Sequence, residues 1–394
     1  MSIRLSQRMQ RIRPSATVSI TSRAIALREQ GRDIISLSAG EPDFDTPENI
    51  KEAAIAAIRG GATKYTAVSG TRELKDAIAA KLRRDNDLEY ATEQIVVTSG
   101  AKQACFNACQ ALLDRGDEAI VIAPYWVSYP DMVRVAGAEP VIVHTSAANG
   151  FIASPEQIDA AITPQTRLLI LNSPCNPTGA VYARDALERI GEVLEEHPRV
   201  CVLTDDIYEH IYWDTTPFAT IAAVCPSLYA RVITVNGVSK SFAMSGWRIG
   251  YAAGPIEVIA AMTALQTQST TNASSISQAA ACEALTGDQS FIGRMRKEFE
   301  ARHDMVLGEL NALAGIECVA GRGAFYLLPN IESAVTATGC DDDAEFCERL
   351  LDAEGLALVP GSAFGAPGHL RISFAASTAT LREALTRLAR FIER

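Results

Sequence analysis

A chain of 394 residues, 48% apolar and 21% charged, is long enough for a large core, either as two or three domains or as one large α/β domain with a smaller companion. Its net charge of -11 argues against a surface built to neutralise nucleic-acid phosphates or an anionic membrane. Nine cysteines without a C-x-x-C pair read as reduced thiols rather than a disulfide framework, and five histidines without H-E-x-x-H or similar spacing point to no metal.

Residues 1–13 (MSIRLSQRMQRIR) are arginine-rich and free of acids, like a transit peptide. No apolar stretch follows, so they read as an N-terminal arm rather than a secretory signal. No run approaches ~18 uninterrupted apolar residues, so no membrane span is expected. From residue 94 the chain alternates short β-branched runs with longer helical patterns. Strands are expected at 94–98 (QIVVT), 118–123 (EAIVIA), 140–144 (PVIVH), 167–172 (RLLILN), 200–204 (VCVLT) and 231–236 (RVITVN), with helices such as 102–113 and 184–197 between them. Continuous apolar strands separated by helices imply a mostly parallel sheet covered on both faces. The last hundred residues change pattern. A long charged helix at 291–313 precedes GAFYLL, a helix at 344–354, LALVP, LRISF and a terminal helix, which is an α+β arrangement.

Ligands of open parallel sheets bind beyond the carboxyl ends of the strands. Here EAIVIA leads into Pro124, Tyr125 and Trp126, and RLLILN into Ser173–Gly179 by way of Asn176. VCVLT leads into Asp205, Asp206 and Tyr208; RVITVN leads into Ser239 and Lys240, with Arg248 eight residues on. QIVVT runs into Ser99, Gly100, Ala101 and Lys102 at a helix start, where unpaired N–H groups and the positive dipole end suit an anion. No G-x-G-x-x-G or P-loop is present, so dinucleotide and nucleoside-triphosphate readings lack their fingerprints.

A lysine, a carboxylate, an aromatic ring and phosphate-holding groups at adjacent strand ends are what a pyridoxal-phosphate site requires. Taken singly, each has a plainer alternative. Lys240 is a surface lysine, Asp205 caps a helix, Trp126 packs in a core, and Arg248 pairs with a surface acid. Arg371, inside the apolar LRISF run, is costly to bury unless it meets an anion, so a ligand carboxylate is favoured over a structural salt bridge.

With these residues in hand, the chain resembles class I aminotransferases of pyridoxal-phosphate fold type I over almost its whole length. It is most similar to the bacterial and plastid branch of aspartate and prephenate aminotransferases. The matching stretches include LSAGEPDFDTP, TKYTAVSGTRELKDAI, SGAKQA, PYWVSYP, NSPCNPTGAVY, DDIYEH, VNGVSKSFAMSGWRIGY, GAFYLL, VPGSAFG and LRISFA. The resemblance implies that Lys240 forms the Schiff base and shuttles the proton. It implies that Asp205 pairs with the pyridinium nitrogen, Tyr208 and Asn176 bond the phenolic oxygen, and Trp126 stacks on the ring. Gly100, Ala101, Lys102, Ser239 and Arg248 lie where the family cradles phosphate, and Tyr65 reaches the phosphate of a neighbouring subunit in a homodimer. Arg371 clamps the substrate α-carboxylate, assisted by Asn176 and Gly40. Lys102, with Ser15 and Thr17 nearby, reads a distal carboxylate.

Two positions depart from the family. Asp206 stands where it usually carries glutamate, and Gly237 where other branches carry a phosphate-binding serine. The resemblance further implies an arm at 1–13, a large cofactor domain at 48–290, and a small domain from 14–47 and 291–394. The expected activity is cytoplasmic ping-pong amino transfer between L-aspartate or L-glutamate and 2-oxoglutarate, oxaloacetate or prephenate. Rival readings are an aromatic or broad-specificity aminotransferase, a pyridoxal-phosphate lyase or synthase, and a cofactor-binding regulator, which would carry an added DNA-binding segment.

Overall fold

The computed structural model describes residues 3–12 and 16–394. In chain order its strands are β1 (Ile35–Ser36), β2 (Ile95–Thr98), β3 (Glu118–Ala123), β4 (Glu139–His144), β5 (Thr166–Asn172) and β6 (Cys201–Asp205). They continue with β7 (Val232–Gly237), β8 (Gly250–Ala253), β9 (Tyr326–Leu327), β10 (Leu356–Ala357), β11 (Val359–Pro360) and β12 (Leu370–Ser373). Seven of them form one sheet in the order β2-β8-β7-β6-β5-β3-β4.

Every run expected as a strand in the middle of the chain is one, with ends within a residue or two. These runs have few polar positions because both faces of the sheet are covered. On one face pack Ile50, Leu74, Ile78, Leu187 and Ile190, from helices Glu48–Arg59, Arg72–Asn86 and Arg184–Glu196. On the other pack Ala104, Cys105, Met132, Val133 and Met262, from helices Ala101–Leu112, Ser128–Ala136 and Ile256–Thr267. Burying each large aliphatic side chain contributes about 1.5–3 kcal/mol.

Sequence patterning missed β8. Its residues, Gly-Tyr-Ala-Ala, have little β-propensity, and tertiary pairing decides the matter. β8 runs antiparallel to both neighbours, so Gly250 lies opposite Thr98 of β2 and Gly237 of β7. The start of β8 therefore falls beside the carboxyl ends of the parallel strands, and Arg248 is delivered there. Any side chain at Gly250 would collide with the Ala101 backbone nitrogen, at 2.1 Å from the added carbon.

The C-terminal region builds a separate core around Phe299, Phe325, Phe346, Phe374 and Leu388. LALVP does not form one strand; it splits into β10 and β11 around Leu358, and only Tyr326–Leu327 of GAFYLL pairs, with β12. β10 pairs in parallel with β1, which joins the N-terminal segment to this region. Helix Asp343–Glu354, capped by the Asp342 side chain on the Glu345 N–H at 2.8 Å, ends on Gly355 at φ 67°. Glycine is required there, since a side-chain carbon would sit 2.3 Å from the Asp33 carbonyl. Among the described residues no helix is long and apolar enough to cross a membrane, and no group of three or more His, Cys, Asp or Glu could hold a metal ion.

Candidate active site

The carboxyl ends of β2, β5, β6 and β7 open into a cavity of about 280 Å³. It is closed from the far side by Tyr326 and Arg371 of the C-terminal region, and by Thr17 and Val18 of helix Ala16–Glu29. Among the described residues, four basic side chains, Lys102, Lys240, Arg248 and Arg371, line it against a single carboxylate, Asp205. In a protein of net charge -11 this is a local inversion of sign. It fits a ligand carrying several negative charges, such as a phosphate together with carboxylates.

Asp205 ends β6 and is 4% exposed. Its Oδ2 accepts from the Tyr129 hydroxyl at 2.7 Å and from the Cys105 thiol at 3.7 Å, while Oδ1 accepts from the Ile207 N–H at 3.3 Å. Burial raises its pKa, and these three donors oppose that rise by favouring the carboxylate. Lys240 follows β7, and its amine donates to the Gly40 carbonyl and lies 5.9 Å from the ring centres of Tyr208 and Phe325. Burial lowers its pKa to about 8; Arg248 and Arg371 push the same way, and Glu41 and Asp205 oppose them. An amine so placed gives up its proton far more readily than an exposed lysine.

The Tyr208 hydroxyl shares a 2.9 Å hydrogen bond with that of Tyr326. Asn172, the last residue of β5, spans the floor: its amide donates to the Asp205 carbonyl at 2.8 Å and its Oδ1 accepts from the Asn176 N–H at 2.9 Å. The Asn176 Oδ1 in turn accepts from Arg371 at 3.2 Å. Arg371 is 2% exposed, sandwiched between Tyr326 and Phe364 at 4.7 and 4.8 Å, and also donates to the Ser38 carbonyl. Its buried Nε has no partner among the described residues.

At the other end, Gly100 at φ 84° precedes helix Ala101–Leu112. A side-chain carbon there would meet Arg248 Nη2 at 2.1 Å, so glycine is needed both for the backbone and for the arginine's approach. The Arg248 guanidinium donates to the Ser245 carbonyl at 2.8 Å and the Ser99 carbonyl at 3.3 Å. Helix-end amides and a guanidinium thus share one corner, a suitable cradle for a phosphate. The Lys102 amine sits 4.8 Å over the Trp126 ring, its pKa lowered by burial and by Arg248.

Of the residues singled out in the sequence, Thr17, Gly40, Ala101, Lys102, Trp126, Asn176, Asp205, Tyr208, Ser239, Lys240, Arg248 and Arg371 line this one cavity. Gly100 stands behind it. Tyr65 is 91% exposed and does not line it. Ser15 lies outside the described residues. Sequence reading missed Tyr129, Tyr326, Asn172 and Cys105. Tyr129 comes three residues after Trp126, at the start of a helix that begins at Ser128, and both line the cavity.

The family profile described as aminotransferase class I and II matches residues 32–388. The aspartate/prephenate aminotransferase of Nitrosomonas europaea is 48% identical over 393 residues, covering 98% of this chain and 99% of that protein. That of Cereibacter sphaeroides is 50% identical over 392 residues, covering 98% of each. Among solved structures, an aspartate aminotransferase from Rhizobium meliloti superposes with a TM-score of 0.95 at 46% identity and full coverage of both chains. One from Thermus thermophilus with maleate gives 0.94 at 46% identity, covering 99% of this chain and 100% of that one.

Proposed function

The chain belongs to the class I and II aminotransferases, and from that premise we propose that its cavity holds pyridoxal 5′-phosphate and moves an amino group between L-aspartate or L-glutamate and a 2-oxo acid. The acceptors are 2-oxoglutarate, oxaloacetate and prephenate. The observation that carries this reading is the set of four basic groups around Asp205, with an easily deprotonated lysine among them.

The residues present fit the cofactor. When bound, pyridoxal phosphate supplies a carbonyl for covalent attachment and a ring that withdraws electrons from the substrate α-carbon. Lys240 offers the amine for attachment and, once released, takes a proton from the substrate α-carbon on Nζ. Asp205, whose carboxylate form is favoured by the hydrogen bonds of Tyr129, Cys105 and Ile207, provides a negative charge for the ring nitrogen. Tyr208 and Asn176 serve the phenolic oxygen, and Trp126 covers one face. Gly100, Ala101, Ser239 and Arg248 hold the phosphate.

Arg371 and Asn176, with the Gly40 backbone, orient the α-carboxylate, so that the bond to be broken is fixed before proton transfer. Lys102, beside Thr17, receives a distal carboxylate. The maleate in the Thermus neighbour is a four-carbon dicarboxylate, the charge pattern of the proposed donor. The exposed Tyr65 suits a homodimer in which it reaches the second cavity. Nine free thiols suit a reducing, cytoplasmic setting. A large domain at 48–290, with 14–47 and 291–394 as its smaller companion, is supported by a core within 50–285 and a second core mostly from 295 onward, into which Ile207, Tyr208 and Ile211 also pack.

The test is the absorbance of the cofactor-loaded protein before and after L-aspartate, with no oxo acid present. Loss of the cofactor-lysine band, reversed by 2-oxoglutarate or prephenate, is the expected outcome. A response to phenylalanine or alanine but not aspartate overturns the acidic donor. No response to any amino acid overturns the reading itself.

A further inference from the structure

We infer that Glu209, which lies outside the cavity, is a positioning residue that sets the placement of Lys240 relative to Tyr208. The inference rests on the reading of Lys240 given above. The ladder between β6 and β7 ends at the pair Asp205 and Val235, and the last main-chain bond between them runs from the Asp206 N–H to the Val235 carbonyl at 2.9 Å. Past that point the two strands diverge into the segments carrying Tyr208 and Lys240.

A side-chain bond takes over where the ladder stops. The Asn236 amide donates to Glu209 Oε1 at 2.7 Å, and Asn236 Oδ1 accepts from the Gly237 N–H at 2.7 Å. Asn236 thus ties the backbone just before the lysine loop to the residue just after Tyr208. The second carboxylate oxygen accepts from Asn86 at 2.6 Å, and Lys81 bridges Glu209 and Asn86 from the same helix, Arg72–Asn86. Lys81, Asn86, Glu209 and Asn236 are all at least nine-tenths buried, and none lines the cavity.

Stability alone does not account for this arrangement. Removing two charges from water costs several kcal/mol each in an apolar core, and a well-packed apolar pair of similar volume is often as stable or more so. What an apolar pair lacks is direction. A carboxylate with three hydrogen-bond partners, two on helix Arg72–Asn86 and one on β7, fixes one geometry, and it does so at the point where main-chain pairing between β6 and β7 has ended. The network holds backbone, not reacting atoms, so its effect on turnover passes through Lys240 and Tyr208.

The experiment starts with the wild-type protein loaded with pyridoxal phosphate; failure to load or to react with L-aspartate would refute the functional reading before any variant is made. Asn236→Ala and Glu209→Ala are then compared with the double variant Lys81→Met, Glu209→Gln. The double variant is free of unpaired charge and keeps an oxygen for Asn236. Both alanine variants are expected to lower kcat by at least about tenfold, short of the roughly hundredfold loss that a ~1 Å misplacement brings, with KM for aspartate nearly constant. They are also expected to shift the midpoint of the pH titration of the cofactor's absorbance band. The double variant is expected to recover most of both effects. Should Glu209→Ala fail to fold, Asn236→Ala, which leaves the buried ion pair intact, decides alone. Variants that melt earlier yet keep the wild-type kcat and titration midpoint would overturn the inference and leave the network a purely structural one.

Discussion

Changing Arg371 to leucine should separate binding from stability, because the two effects differ greatly in size. In the cavity wall the guanidinium is 2% exposed, and among the described residues no carboxylate forms an ion pair with it. Burial accordingly lowers its pKa. The folded protein bears a desolvation cost of several kcal/mol for this ion, which leucine would remove. Against that, Asn176 Oδ1 and the Ser38 carbonyl lose their donor, at about 1–3 kcal/mol each. The two offset, and the cofactor-free protein should melt within about 5 °C of the wild type.

Catalysis has no such offset. Of the five N–H donors of an arginine, two are used internally, which leaves three, Nε–H among them, for a carboxylate. Two charge-assisted bonds at about 1.5–3 kcal/mol each amount to roughly 3–6 kcal/mol, or a fall in kcat/KM for aspartate of about 10²- to 10⁴-fold. The assay is the rate of the absorbance change over a range of aspartate concentrations, paired with a thermal melt without cofactor. A loss below about tenfold accompanied by a much lower melting temperature would show that the arginine serves the fold, and would refute the argument.

Tyr129→Phe removes the 2.7 Å donor to Asp205 and leaves the weaker thiol contact; cofactor retention in equilibrium dialysis should weaken by about tenfold or more, from the ~1.5–3 kcal/mol of a bond to a charged acceptor, and unchanged retention would contradict the role. Lys240, lowered to about 8 in the folded state, binds fewer protons than in the unfolded chain between pH 8 and its ordinary value of 10.5. Stability of the cofactor-free protein should therefore rise across that window relative to Lys240→Met, and parallel melting curves would refute this. Asp206 has the opposite sign. Burial raises its carboxyl to about 7 against the 2.6 Å hydrogen bond from Thr204, so its contribution is lost as pH climbs through 7. Asp206→Asn should raise the melting temperature more at pH 8 than at pH 5; an equal or smaller gain at pH 8 would count against it.

The sheet was legible because its strands are buried on both faces and leave an apolar signature that survives without knowledge of their partners. Lys240, Asp205 and Arg371 were legible for a related reason. A charged residue following or interrupting such a run is expensive, and chemistry narrows what can stand there. β8 was not legible, since Gly-Tyr-Ala-Ala owes its conformation to β2 and β7 rather than to itself. Nor was the split of LALVP, where two short pairings with different partners divide one apolar run.

Supporting residues fall in a different category from those that face the ligand. Tyr129 sits inside a recognised stretch, yet only the fold brings its hydroxyl to a carboxylate 76 positions away. Glu209 is likewise an unremarkable acid until Asn236, 27 positions on, is placed beside it. The cavity's charge follows the same logic. A net charge of -11 says nothing about a pocket holding four cations to one acid, because a total averages over a surface while a site is a local sum. Composition could exclude a broad basic face; concentrating Lys102, Lys240, Arg248 and Arg371 within one cavity required strand ends from two different cores to converge.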